Sequence, residues 1–170
     1  MAEDNSKILK ITFYGGAGTV TGSNFMLEGA GKKFLIDCGL QQGCYKVCDD
    51  ANRAPFPYDP ATVDAVFVTH SHIDHVGRVP KLVKDGFKGK IYSTIPAKDL
   101  AELMMLDSMG VLEKEAKQDN LPIIYSAEDV TQSVKQWEGV PYHQKINFDH
   151  GFTVRFLDSG HVLGSSMVEI

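Results

Sequence analysis

The 170-residue chain is 43% hydrophobic and 23% charged, the balance of a folded globular domain, which excludes a wholly disordered or fibrous protein. Its formal net charge of −5 excludes a broad basic surface, so any polyanionic substrate has to be met locally. No apolar run reaches the roughly 18 residues of a membrane span, and the polar residues 1–6 lack the charged start and apolar core of a secretory signal; no membrane contact and a cytoplasmic location are expected.

Residues 1–7 read as a disordered lead-in and residues 8–170 as one domain. Ile8, Ile11 and Phe13 lie in a strand-like run that reaches the turn residues Gly15, Gly16 and Gly18. A second strand around residues 24–27 leads through Gly29-Ala30-Gly31-Lys32 into residues 33–37, a hairpin that delivers Asp37 to a strand end. Residues 39–59 are rich in Gly, Gln, Asp, Asn and Pro and predict a long loop, of a length that usually carries function. The three cysteines, Cys38, Cys44 and Cys48, contain no C-x-x-C pair and are expected as reduced thiols. The acidic pairs Asp49-Asp50 and Glu113/Glu115 are expected as solvated surface.

An apolar strand over residues 63–69 runs into a histidine-rich segment, and a short helix over 79–84 and a strand over 90–93 follow it. A longer helix is predicted over 97–117, with Leu100, Leu103, Met104 and Val111 on its buried side. Ser126 has the chemistry of a helix cap, with Glu128 and Asp129 complementing the dipole and Val130, Val134 and Trp137 forming the apolar stripe. His143 and His150 read as surface or turn residues. Phe152, Val154 and Phe156 alternate as a strand that ends at Asp158-Ser159-Gly160-His161.

The chemistry is concentrated in His70-Ser71-His72-Ile73-Asp74-His75. In an extended segment His70 and His72 project to one side, about 7 Å apart, so two imidazoles can converge on one ion. Asp74 and His75 then offer a carboxylate and a third imidazole to a neighbouring ion, and zinc favours such nitrogen and oxygen donors. Three histidines and an aspartate within six positions, in a chain with six histidines, are far more than composition supplies. His161, a single histidine between Gly160 and Gly164, carries little weight by spacing alone.

The run from His70 to Gly77 resembles the H-x-H-x-D-H signature of the metallo-β-lactamase superfamily. Within that superfamily, the stretches Gly16-Ala17-Gly18-Thr19-Val20-Thr21-Gly22-Ser23, Asp37-Cys38-Gly39-Leu40-Gln41-Gln42-Gly43 and Ser159-Gly160-His161-Val162-Leu163-Gly164-Ser165 resemble the β-CASP RNA nucleases, as does Gly77-Arg78-Val79-Pro80. The resemblance implies an α/β fold, the αββα sandwich, with only its N-terminal half in this chain. The β-CASP insertion and the remaining half of the domain would be its partners, together with RNA. It implies two zinc ions, the first on His70, His72 and His161 and the second on Asp74 and His75. Asp74 and His75 would serve catalysis, Asp74 by orienting the nucleophile, and Asp37 would support the site through hydrogen bonds. The implied reaction is hydrolysis of RNA phosphodiester bonds by a metal-activated hydroxide. Because the family's bridging aspartate and last zinc histidine have no counterpart here, the isolated chain is expected to hold an incomplete site. A thioester or lactone hydrolase of the same fold and a non-catalytic RNA-processing partner stand as alternatives, and the oligomeric state, a homo-oligomer included, is left open.

Overall fold

The computed structural model describes residues 8–44 and 46–170; the lead-in expected over residues 1–7 lies outside them. Strand β1 (Lys10–Gly15) pairs antiparallel with β2 (Asn24–Gly29), and β2 with β3 (Lys32–Ile36). The β2–β3 turn is Ala30-Gly31, both at positive φ, a geometry that matches the twist of the strands it joins.

From β3 onward the chain switches to parallel addition. Helix α1 (Lys46–Arg53) precedes β4 (Ala65–Phe67), and α2 (Ile73–Val76) and α3 (Val79–Lys84) precede β5 (Lys90–Thr94). Helices α4 (Ile95–Gln118) and α5 (Ala127–Gln136) precede β6 (Trp137–Val140). Parallel neighbours need long crossovers, which these helices supply, and the result is one six-stranded sheet in the order β1 to β6. Strands β7 (Ile146–Asn147), β8 (Thr153–Asp158) and β9 (Ser166–Glu169) form a second, antiparallel sheet.

Alternation along the central strands sorts two cores. Leu35, Val66 and Ile91 face α2 to α5 and pack with Val76, Leu82, Met105 and Val130. Phe34, Ala65 and Phe67 face the second sheet and pack with Val154 and Phe156 of β8. A strand apolar on both faces must be covered on both, so the helices, the large sheet and the small sheet stack as three layers. This is the α/β sandwich expected from the sequence.

Local expectations fared unevenly. The loop expected over 39–59 contains α1, held by the Asp49–Arg53 ion pair one turn apart and by Asn52, whose side chain bonds the main-chain N–H and C=O of Gln41. Cys44 and Cys48 are joined as a disulfide rather than reduced, their Cα atoms 5.2 Å apart where the chain turns into α1; Cys38 is a buried free thiol, which burial pushes up to about 11. On α4 the buried side is Ala97, Ala101, Met105 and Ala116, while Leu103 and Val111 are exposed. Alanines let the helix axis lie close to the sheet, and that contact outweighs burial of the longer side chains. Ser126 does cap α5, in a reciprocal box with Asp129, but Trp137 opens β6 and donates its indole N–H to Ser93. Strands β6 and β7 were not legible in the sequence. No helix among the described residues is long and apolar enough to cross a membrane.

Candidate metal centre

The parallel strands β3 and β4 end side by side, and the chain leaving each carries the polar residues, which places the site beyond the carboxyl ends of the sheet. Asp37 follows β3 in the left-handed region, at φ 60°, which aspartate tolerates better than most residues. Its N–H is bonded to the carbonyl of Phe67, and its own carbonyl accepts from the Asn24 amide, so its backbone is clamped between β2 and β4.

The single turn of α2, flanked by His72 and Gly77, is docked on the segment after β3: the N–H groups of Cys38 and Leu40 donate to the carbonyls of His75 and Ile73. Gly39 lies between them. A Cβ there would stand 1.6 Å from the carbonyl oxygen of Asp74, so only glycine permits this docking.

His161 reaches the same place from β8. The loop after β8 is folded on Ser165, whose hydroxyl accepts from the N–H groups of His161 and Val162. The Thr94 hydroxyl donates to the Gly164 carbonyl, and the Ser166 N–H donates to Thr69, fastening the loop to the start of α4 and to the chain leaving β4.

These supports bring three imidazoles together. His70 Nε2 is 3.2 Å from His72 Nδ1, and His161 Nε2 is 3.3 Å from the same atom; one nitrogen from each ring lies within 4.8 Å of the others. Three such nitrogens suit one divalent cation, leaving a further coordination position for water or substrate. Asp74 and His75 stand beside them, with His75 Nε2 3.6 Å from Asp74 Oδ2 and the His75 ring centre 4.0 Å from that of His70. They form a second, two-residue donor group. His143 and His150 are exposed turn residues at positive φ, as the sequence suggested.

Asp37 is buried beneath both groups. Its Oδ2 accepts from His75 Nδ1 at 2.7 Å and from the Ser23 hydroxyl at 3.1 Å; its Oδ1 accepts from the Thr69 N–H at 2.8 Å. The Thr69 hydroxyl also reaches the carboxylate, at 2.9 Å. Thr69 was missed by the sequence reading, because a threonine at the end of an apolar strand looks like an ordinary strand residue.

The electrostatics separate the two groups. Burial, with the neighbouring His75, pushes His70 down to about 4, so its ring is neutral over most of the pH range. Burial also opposes charging of His75, but the Asp37 hydrogen bond and the charges of Asp37 and Asp74 outweigh it and hold His75 above its ordinary value.

A family model described as a metallo-beta-lactamase superfamily domain matches residues 26–170. The chain is 34% identical over 160 residues to ribonuclease TTHA0252 of Thermus thermophilus, covering 94% of this chain and 34% of that protein. It is 35% identical over 164 residues to transcription termination factor FttA of Methanosarcina mazei, covering 94% of this chain and 24% of the relative. It thus spans about a third or less of the length of these relatives. A solved B3 metallo-beta-lactamase with an active-site glutamic acid superposes with a TM-score of 0.52 at 15% identity, covering 87% of this chain and 50% of that one, a likeness of fold alone.

Proposed function

Because the chain belongs to the metallo-beta-lactamase superfamily, a fold that implies divalent metal, we propose that it supplies the first part of the zinc site of a β-CASP-type hydrolase that cleaves RNA phosphodiester bonds. The observation that carries the metal reading is the convergence of His70, His72 and His161, drawn from segments 89 positions apart, on one point. Support for RNA comes from the relatives, one of which is a ribonuclease sharing 34% identity with this chain.

In this reading His70 and His161 bind the first ion through Nε2 and His72 through Nδ1, the atoms that face one another. Asp74 and His75 contribute to the second, with further donors coming from the remainder of the domain. Zinc bound by these residues would supply Lewis acidity toward a phosphoryl oxygen and would lower the pKa of water toward neutrality. Asp74 orients the attacking water. Asp37 fixes the ring of His75 through the Nδ1 bond and leaves its Nε2 toward the site.

The test is incubation of the full-length protein with labelled single-stranded RNA, with and without a chelator, beside the variant His72→Ala. Chelation and the substitution should each abolish cleavage. Cleavage that survives both ends the proposal, and turnover of thioesters or lactones without RNA cleavage at low salt turns it toward a small-molecule hydrolase.

A further inference from the structure

The hydroxyl of Thr69 has one proton to give and lone pairs to receive with. Around it lie Asp37 Oδ2 at 2.9 Å, Asp37 Oδ1 at 3.1 Å, His70 Nδ1 at 3.0 Å and His75 Nδ1 at 3.4 Å. A carboxylate can only accept, so the hydroxyl proton goes to Asp37. His75 Nδ1 already has its acceptor in Asp37, at the shorter distance of 2.7 Å. What remains is a lone pair of the threonine oxygen facing His70 Nδ1, and it is satisfied only if that nitrogen carries the ring proton.

A neutral imidazole has one N–H and one lone pair, so fixing the proton on Nδ1 frees Nε2. Nε2 is the atom of His70 that faces His72 and the three-nitrogen cluster. We propose that Thr69 is a positioning residue that holds His70 in the Nδ1–H tautomer, and thereby presents its Nε2 lone pair to the first metal position. The inference rests on the metal reading given above and deepens it. It also makes Asp37 the common anchor of both positions: directly for His75, and through the Thr69 hydroxyl for His70.

Thr69 has a second attachment that separates the hydroxyl's role from the backbone's. Its N–H donates to Asp37 and its carbonyl accepts from both the N–H and the hydroxyl of Ser166, which fastens the His161 loop. Thr69→Val keeps these main-chain bonds and the side-chain shape and removes only the hydroxyl. Thr69→Ser keeps the hydroxyl.

The experiment has two readouts on the metal-stripped full-length protein. Imidazole 15N shifts of His70 report which nitrogen carries the proton: Nδ1 in the wild type and in Thr69→Ser, a mixture of the two tautomers in Thr69→Val. Titration with Co(II), followed by its visible absorption, reports affinity at the first position. Thr69→Val should bind about 10- to 100-fold more weakly than wild type, the usual cost of removing a hydrogen-bond partner of a metal-binding histidine, and Thr69→Ser should recover most of the loss. A wild type that takes up no Co(II) overturns the metal reading itself. A wild type that binds Co(II) but carries the His70 proton on Nε2, or a Thr69→Val protein that binds as tightly as wild type, overturns the role of Thr69 alone. The wild-type tautomer decides the matter even where Thr69→Val does not fold.

Discussion

The two donor groups at the sheet end are built by opposite means. The first, His70, His72 and His161, joins one tight bend to a loop far along the chain, and its geometry exists only once β8 and β9 have packed against the large sheet. The second, Asp74 and His75, lies within one turn of α2 and is assembled locally. The first has three nitrogens and needs no other protein ligand for a cation. The second is a pair of neighbouring side chains, one imidazole and one carboxylate. Tertiary folding brings the three imidazoles of the first group together, whereas local chain geometry alone places Asp74 beside His75.

Substitutions can break this asymmetry. The largest effect is expected from His72→Ala, since His72 Nδ1 faces both other rings: Co(II) uptake at the first position should disappear while Asp74 and His75 stay in place. Unchanged uptake would mean that the three rings do not act together. Asp37→Asn is expected to weaken both positions by about 10- to 100-fold, because one carboxylate oxygen receives His75 directly and the Thr69 hydroxyl touches the same carboxylate. An effect confined to one position, measured by metal titration, would show that the carboxylate is not shared.

The pH dependence of the metal-stripped protein sharpens the same contrast. His70 is held at about 4 against an ordinary 6.5, so as pH falls the unfolded chain takes the proton before the folded one. The stability this contributes is complete above about 6.5 and is lost on acidification toward 4, by up to about 3 kcal/mol. His75 acts in the opposite sense: its folded value is raised, so its contribution is present at low pH and lost as pH rises through that value. Denaturant unfolding between pH 6.5 and 4 should therefore show falling stability, with a shallower fall in His70→Asn; equal slopes would remove His70 as the cause. A smaller effect is expected from Gly164→Ala. Gly164 sits at φ +80°, and a Cβ there would meet the main-chain nitrogen of Ala97 at 2.6 Å, so the His161 loop must shift. About 2 kcal/mol of stability should be lost, and metal affinity should fall at the first position and not the second.

Legibility from sequence followed the same divide. His70, His72, Asp74 and His75 could be read directly because their spacing on one bend is itself the signal. His161 needed the family resemblance, since nothing local distinguishes it from His143 or His150. Thr69 escaped because its role depends on Asp37 and His70 arriving around its hydroxyl, which adjacency to a motif does not announce. In the fold, short apolar runs bounded by turn residues identified β1 to β5, alternation identified β8, and the cap at Ser126 identified α5. Helix α1 was hidden by a polar composition whose stabilising contacts, Asn52 to Gln41 and Asp49 to Arg53, are visible only in three dimensions. The face of α4 was misassigned because large apolar residues were favoured, while Ala97 and Ala101 make the close contact.

The most direct test is a crystal of the full-length protein grown with zinc and measured at the zinc absorption edge. The account predicts an anomalous peak about 2.0 to 2.1 Å from His70 Nε2, His72 Nδ1 and His161 Nε2 together. A peak bound through the opposite nitrogen of His70 or His72, or density that leaves His161 uncoordinated, would contradict it.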